Sequence, residues 1–139
     1  MKQIKIFLDS SVIIAGLASK LGGSHQILLL TEHKIVVSLI SEMVVQETLK
    51  AINKKMPQQY NLFYSLFQRL PFQLIDPSED DLKRALSMIN EKDNPILAAA
   101  MTGKAEWLLS LDRHFLVPNL TASTGINMGT PGDFIQTVF

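Results

Sequence analysis

Four carboxylates, Asp9, Glu47, Asp93 and Asp112, stand in sequence settings that could deliver charge to a binding crevice. Asp9 follows the apolar, β-prone run Ile4-Lys5-Ile6-Phe7-Leu8 and precedes Ser10-Ser11 and a second apolar stretch, Val12-Ile13-Ile14-Ala15. A strand carrying an acid at its C-terminal tip in an open α/β sheet places it where such folds bind ligands. Asp112 repeats the pattern after Trp107-Leu108-Leu109-Ser110-Leu111, Asp93 stands just before a helix opened by Asn94-Pro95, and Glu47 lies inside another helix. Like charges brought to one crevice force protonation unless a cation compensates them. Magnesium and manganese suit that role: they take oxygen ligands, retain waters and leave coordination sites for phosphate oxygens. The chemistry expected of such a site is metal-assisted phosphodiester hydrolysis.

Each acid also has an ordinary explanation. Asp9 could cap a helix starting near Ser10 or Ser11, and Asp93 could cap the Pro95 helix. Glu47 could pair with Lys50 or Lys54 on a wet helical face, and Asp112 could pair with Arg113 or cap a turn. Their joint occurrence in one α/β frame is what raises them above these readings.

A length of 139 residues with 47% hydrophobic content suffices for one domain with a sizeable core and is short for two. Thirteen basic and 13 acidic residues cancel, so no global positive field attracts a polyanion; a local patch or a bound cation must hold it. The absence of cysteine excludes a disulfide scaffold and cysteine-ligated zinc, and fits a reducing compartment. Residues 1–20 have basic residues ahead of an apolar run, as an export signal does, but Asp9 interrupts that run, so the segment reads as strand one. No apolar stretch reaches the roughly 20 residues of a membrane span, and a cytoplasmic location is expected.

The punctuation elsewhere separates short alternating strands and helices, the signature of βαβ units. Gly22-Gly23-Ser24 reads as a loop ending in an N-cap, followed by a helix through Leu30; Ile35 to Ser38 reads as a doubly buried strand. Ser41 caps a helix from Glu42 to about Asn53, whose Val45, Leu49 and Ile52 would face the core. A second helix from Pro57 to Leu70 completes a hairpin arm around residues 42–70. Phe72 to Ile75 forms a short strand, and Glu79-Asp80-Asp81 opens a helix to Ile89. Pro95 to Thr102 is helical, with Gly103 as its C-cap. Ile126 to Met128 forms a last strand and Gly132 to Val138 a closing helix.

With these elements in order, the chain resembles the PIN domain family of metal-dependent ribonucleases over essentially its whole length. The blocks that carry the resemblance are residues 7–13 around Asp9, Gln46-Glu47-Thr48-Leu49, Lys92-Asp93-Asn94-Pro95-Ile96-Leu97-Ala98-Ala99-Ala100, and residues 107–116 around Asp112. Thr130-Pro131-Gly132-Asp133-Phe134 is similar to the family's turn before its closing helix. The resemblance implies a three-layer α/β/α domain with a mainly parallel sheet, spanning residues 1–139. It also implies an acidic metal site of Asp9, Glu47, Asp93 and Asp112, with Ser10 and Ser110 as hydroxyls beside it. The implied activity is Mg2+- or Mn2+-dependent cleavage of RNA, with an antitoxin protein and a second copy of the chain as partners where the member is a toxin.

The chain departs from the family pattern at Ser11, where many members have asparagine, at Ser110-Leu111, a frequent threonine-glycine pair, and at His114, where many carry a further aspartate. The histidine leaves open whether a second ion binds, and supports an alternative: a catalytically silent PIN-like module that binds RNA or protein. His114 could itself bind metal or shuttle protons, although a single histidine beside Arg113 is more often an ordinary surface residue. Lys54, Lys55 and Arg113 could meet RNA phosphates or simply solvate a surface. Tyr60, Phe63, Tyr64 and Phe67 have helical spacing that favours packing over base stacking. A phosphotransfer site with Asp9 as nucleophile wants a second aspartate where Ser11 stands, so it ranks last.

Overall fold

Apolar runs too short to shield themselves pair into one parallel sheet in the computed structural model, which describes residues 3–139. The strands are β1 (Ile4–Leu8), β2 (Val36–Ile40), β3 (Gln73–Leu74), β4 (Trp107–Leu109) and β5 (Asn127–Gly129). They lie in the order β3-β2-β1-β4-β5, and every neighbouring pair is parallel. Parallel neighbours require crossovers, here built from α1 (Ser10–Ala18), α2 (Gly23–Glu32), α3 (Glu42–Lys55), α4 (Tyr60–Arg69), α5 (Glu79–Leu86), α6 (Asn94–Thr102) and α7 (Pro118–Thr124), while α8 (Pro131–Val138) closes the fold. Helices cover both faces of the sheet, which is why its central strands are apolar without alternation: Ile6, Phe7, Leu8, Leu108 and Leu109 are fully buried. The three-layer α/β/α architecture expected from the sequence is the one formed.

The chain winds outward from β1 through β2 to β3, then returns to place β4 on the other side of β1. That reversal opens a crevice beyond the C-terminal ends of β1 and β4. No single helix among the described residues is long and apolar enough to cross a membrane.

Several elements differ from their sequence reading. The stretch after Asp9 is helical, not an extension of strand one. Asp9 sits at its N-cap and accepts the Ser10 N–H, and Val12 and Ile13 are buried. The capping alternative for Asp9, a helix starting near Ser10 or Ser11, is thus the one formed; the apolar run itself, short and without periodicity, is ambiguous between a buried strand and a buried helix. Helix α2 starts one residue after Gly22, whose φ of 98° suits glycine, so Ser24 lies inside the helix and not at its cap. Gly103 does end α6, but at φ −76°; the left-handed residue is Lys104, and Gly103 is small because a Cβ would come within 2.7 Å of Leu39 Cδ1.

Helix α3 runs on to Lys55 and turns Val44, Thr48 and Ile52 fully inward, leaving Val45 and Leu49 only partly buried. Ser41 caps it as expected, accepting the Val44 N–H. Helix α5 stops at Leu86, short of Ile89. Helix α7 was not anticipated: it has seven residues, begins at a proline and buries only Leu120.

Helices α1 and α2 cross closely at Gly16, where an added Cβ would meet Leu28 Cδ1 at 2.7 Å and the Ser24 carbonyl oxygen at 2.9 Å. In an open helix Gly→Ala gains about 1 kcal/mol. Here the second obstacle is backbone and cannot step aside, so overpacking of about 1–3 kcal/mol outweighs that gain. Gly16→Ala is therefore expected to lower the urea unfolding midpoint; an unchanged or raised midpoint contradicts this packing.

Candidate metal centre

The crevice is organised around Asp9, which is 8% exposed. Its N–H donates to the Leu109 carbonyl at 3.0 Å, carrying the β1–β4 pairing one residue past the strand. Its Oδ1 accepts the Ser10 N–H at 2.9 Å, and its Oδ2 accepts the hydroxyls of Ser11 at 3.0 Å and Ser110 at 2.7 Å. Each serine oxygen also accepts a backbone N–H from the segment after β4: Ser110 from Asp112 at 2.8 Å, and Ser11 from Leu111 at 3.1 Å. Two hydroxyls, each donating once and accepting once, thus tie the Asp9 carboxylate to the segment that carries Asp112.

Asp93, 6% exposed, is fixed by Asn90, whose Nδ2 donates to Asp93 Oδ2 at 2.8 Å and whose Oδ1 accepts the Asp93 N–H at 3.0 Å. Although Asp93 stands at the N-cap of α6, its carboxylate makes no capping bond, so capping does not explain the side chain. Asp112 Oδ1 accepts the His114 N–H at 2.9 Å and caps a 3-10 turn, Arg113–Phe115. The ring of His114 reaches back between these acids, with Nδ1 3.0 Å from Asp93 Oδ2 and 3.3 Å from Asp112 Oδ1. One donor atom from each of these three residues lies within 4.8 Å of the others, a spacing that could hold a metal ion. Two carboxylates and one imidazole suit a divalent cation chemically.

Glu47 faces the same cavity from α3. The cavity encloses about 200 Å³ and is lined by Asp9, Ser10, Ser11, Met43, Glu47, Lys92, Asp93, Ile96 and Asp112. Burial raises the Glu47 carboxyl above the usual glutamate range, the negative charges of Asp9 and Asp93 raise it further, and Lys92 opposes them. Among the described residues Glu47 has no ion pair with Lys50 or Lys54.

All four acids singled out in the sequence therefore line one cavity. Ser110 meets Asp9 through its hydroxyl, whereas Ser10 contributes its backbone N–H. Sequence reasoning overlooked the contacts of Ser11, Asn90 and Lys92. The first two carry a faint local signal, a hydroxyl two residues after Asp9 and an amide three before Asp93, spacings that favour side-chain turns. A separate cleft of about 230 Å³ between α3, α4 and β3 is lined mainly by Val45, Leu49, Phe67 and Phe72, and no carboxylate reaches it. It offers no group for phosphodiester chemistry.

Two measurements check this network. Ser110→Ala leaves the buried Asp9 Oδ2 with one donor fewer and is expected to destabilise the protein by about 1–3 kcal/mol in urea unfolding; no loss contradicts the bond. Because the folded state raises the Glu47 pKa, its contribution to stability is fully present below the unfolded value of 4.5 and is lost as pH rises through the folded value. Glu47→Gln in metal-free buffer should accordingly gain stability relative to wild type as pH rises from 4 to 7. A pH-independent difference contradicts the crowding of charge.

Comparison with known proteins gives the same picture of the fold. VapBC2 from Rickettsia felis, solved bound to a DNA fragment from its promoter, superposes with a TM-score of 0.67 at 18% identity, over 90% of this chain and 97% of that one. FitAcB from Neisseria gonorrhoeae gives 0.64 at 15% identity, over 91% and 98%. VapC20 from Mycobacterium tuberculosis, described as a sarcin-ricin loop cleaving toxin, gives 0.56 at 16% identity, over 85% and 94%. No curated protein matches by sequence. A family model does match, that of the PIN domain, across residues 5–114. With that match over most of its length, the chain belongs to the PIN domain family.

Proposed function

We propose that this protein is a Mg2+- or Mn2+-dependent endoribonuclease that hydrolyses RNA phosphodiester bonds at the cavity of Asp9, Glu47, Asp93 and Asp112. The observation that carries the reading is the meeting of these acids, drawn from four separate parts of the chain, in one cavity of about 200 Å³. So much negative charge beside buried Asp9 and Asp93 is tolerable when a cation shares it. When bound, a divalent ion supplies charge neutralisation at the phosphate and a more acidic water.

The chain's own residues supply the rest. Asp9, Asp93 and Asp112 would hold the cation, and Ser110 and Ser11 fix the Asp9 carboxylate through its Oδ2. Glu47, with its raised proton affinity, orients the attacking water and accepts its proton, a role for which a carboxyl tuned upward is suited. Lys92 at the cavity wall is the one cationic side chain in that lining and would pair with the phosphate of an incoming RNA. VapC20, described as a sarcin-ricin loop cleaving toxin, shares this fold, which supports a toxin role; as further parts of the proposal, the chain acts on RNA in the cytoplasm as a homodimer and is held in check by a protein antitoxin.

One observation favours a second reading, a catalytically silent module that binds RNA or a protein. His114, when protonated, lies where it compensates Asp93 and Asp112 without an ion. Titration with metal separates the two, since the silent module takes up neither Mg2+ nor Mn2+ at millimolar concentration.

The decisive variant is Asp9→Asn, nearly identical in volume. Losing several kcal/mol of transition-state stabilisation lowers the rate by about a hundredfold or more. RNA cleavage by Asp9→Asn should fall that far while its circular dichroism spectrum stays that of wild type; cleavage at the wild-type rate contradicts the proposal.

A further inference from the structure

We infer that His114 is a nitrogen ligand of this centre and that it makes the site select a first-row transition ion, Mn2+ or Co2+, over Mg2+. The inference rests on the reading of the acidic cavity as a cation site. Adjacent ligands about 2.1 Å from an octahedral ion stand about 3.0 Å apart. His114 Nδ1 lies 3.0 Å from Asp93 Oδ2 and 3.3 Å from Asp112 Oδ1, so the ring stands at ligand spacing from both acids.

The ring is also carried there by the backbone. The His114 N–H is held by Asp112 Oδ1, and the next residue, Phe115, is buried at 1% exposure and anchors the turn. The imidazole itself is 59% exposed, so an incoming ion can reach it. Without an ion the same spacing serves a hydrogen bond, which keeps the two carboxylates apart by one ligand's width.

Ligand chemistry gives the selectivity. Magnesium prefers an all-oxygen shell and parts with its waters reluctantly, whereas imidazole nitrogen favours first-row transition ions. Replacing one oxygen donor by Nδ1 therefore raises affinity for Mn2+ and Co2+ relative to Mg2+. Among the described residues neither other histidine offers such a site: His25 Nδ1 bonds the Gly16 carbonyl at 3.1 Å, and the His33 ring is paired with Glu32 at 3.9 Å.

The test is electron spin-echo envelope modulation on the metal-free protein loaded with Mn2+, which detects directly bound 14N, together with Mn2+ and Mg2+ affinities from calorimetry. Wild type should show 14N modulation; His114→Asp should lose it while still binding both ions. The ratio of Mn2+ to Mg2+ affinity should fall at least about tenfold, the lower end of what even a supporting residue of a metal site commands. His114→Gln provides a second variant that adds no charge and should also lose the nitrogen signal. Bound Mn2+ without nitrogen modulation in wild type, or an affinity ratio unchanged in His114→Asp, overturns the role of His114 and leaves the carboxylate site standing. Absence of Mn2+ and Mg2+ binding in wild type overturns the carboxylate site, and this inference with it.

Discussion

The register between β1 and β4 governs everything at the crevice. Ile6 faces Trp107, Phe7 faces Leu108 and Leu8 faces Leu109, and the Asp9 N–H continues the pairing on the Leu109 carbonyl. The two strands therefore end level, with Asp9 and Ser110 as next residues and their side chains 2.7 Å apart. A shift of one residue would turn Asp9 towards the opposite face of the sheet and Leu8 towards the crevice. The apolar layers on both faces make that slip costly, because Phe7, Leu8, Leu108 and Leu109 are all fully buried. Hydrophobic burial, which carries no chemical information, thus sets the position of a charge.

Charge is the complementary constraint. Asp9 and Asp93 are nearly withdrawn from water, and each is kept there by donors: two hydroxyls and an N–H for Asp9, an amide and an imidazole for Asp93. Glu47 has no such donors among its described contacts and bears the repulsion as a raised pKa. A cavity that stabilises some carboxylates by hydrogen bonds and leaves another frustrated is poised to accept positive charge. Lys92 supplies part of it from the protein itself.

The strand tips were legible in the sequence because a parallel sheet buried on both faces writes itself as uninterrupted apolar runs, and Asp9 and Asp112 follow two of them. The same continuity left α1 only as the capping alternative for Asp9, since Val12-Ile13-Ile14-Ala15 has no polar face to reveal a helical period. Helix α7 escaped for the opposite reason, being short, polar and anchored by Leu120 alone. At the site, residue types were readable but pairings were not. The contact of His114 with Asp93 joins residues 21 apart, and that of Ser110 with Asp9 residues 101 apart, so neither leaves a local pattern. His114 read as a departure from the family pattern; its geometry places a nitrogen donor at that point.

The central claim is that the folded protein gathers carboxylates whose repulsion a divalent cation relieves. The most direct measurement is urea unfolding at pH 7 across a series of Mn2+ concentrations against a chelator control. Because the unfolded chain scatters the acids, the ion binds the folded state alone and stability rises with the logarithm of its concentration, by about 2.7 kcal/mol at a hundred times the dissociation constant. Unfolding midpoints that coincide with and without Mn2+ up to millimolar concentration contradict the account.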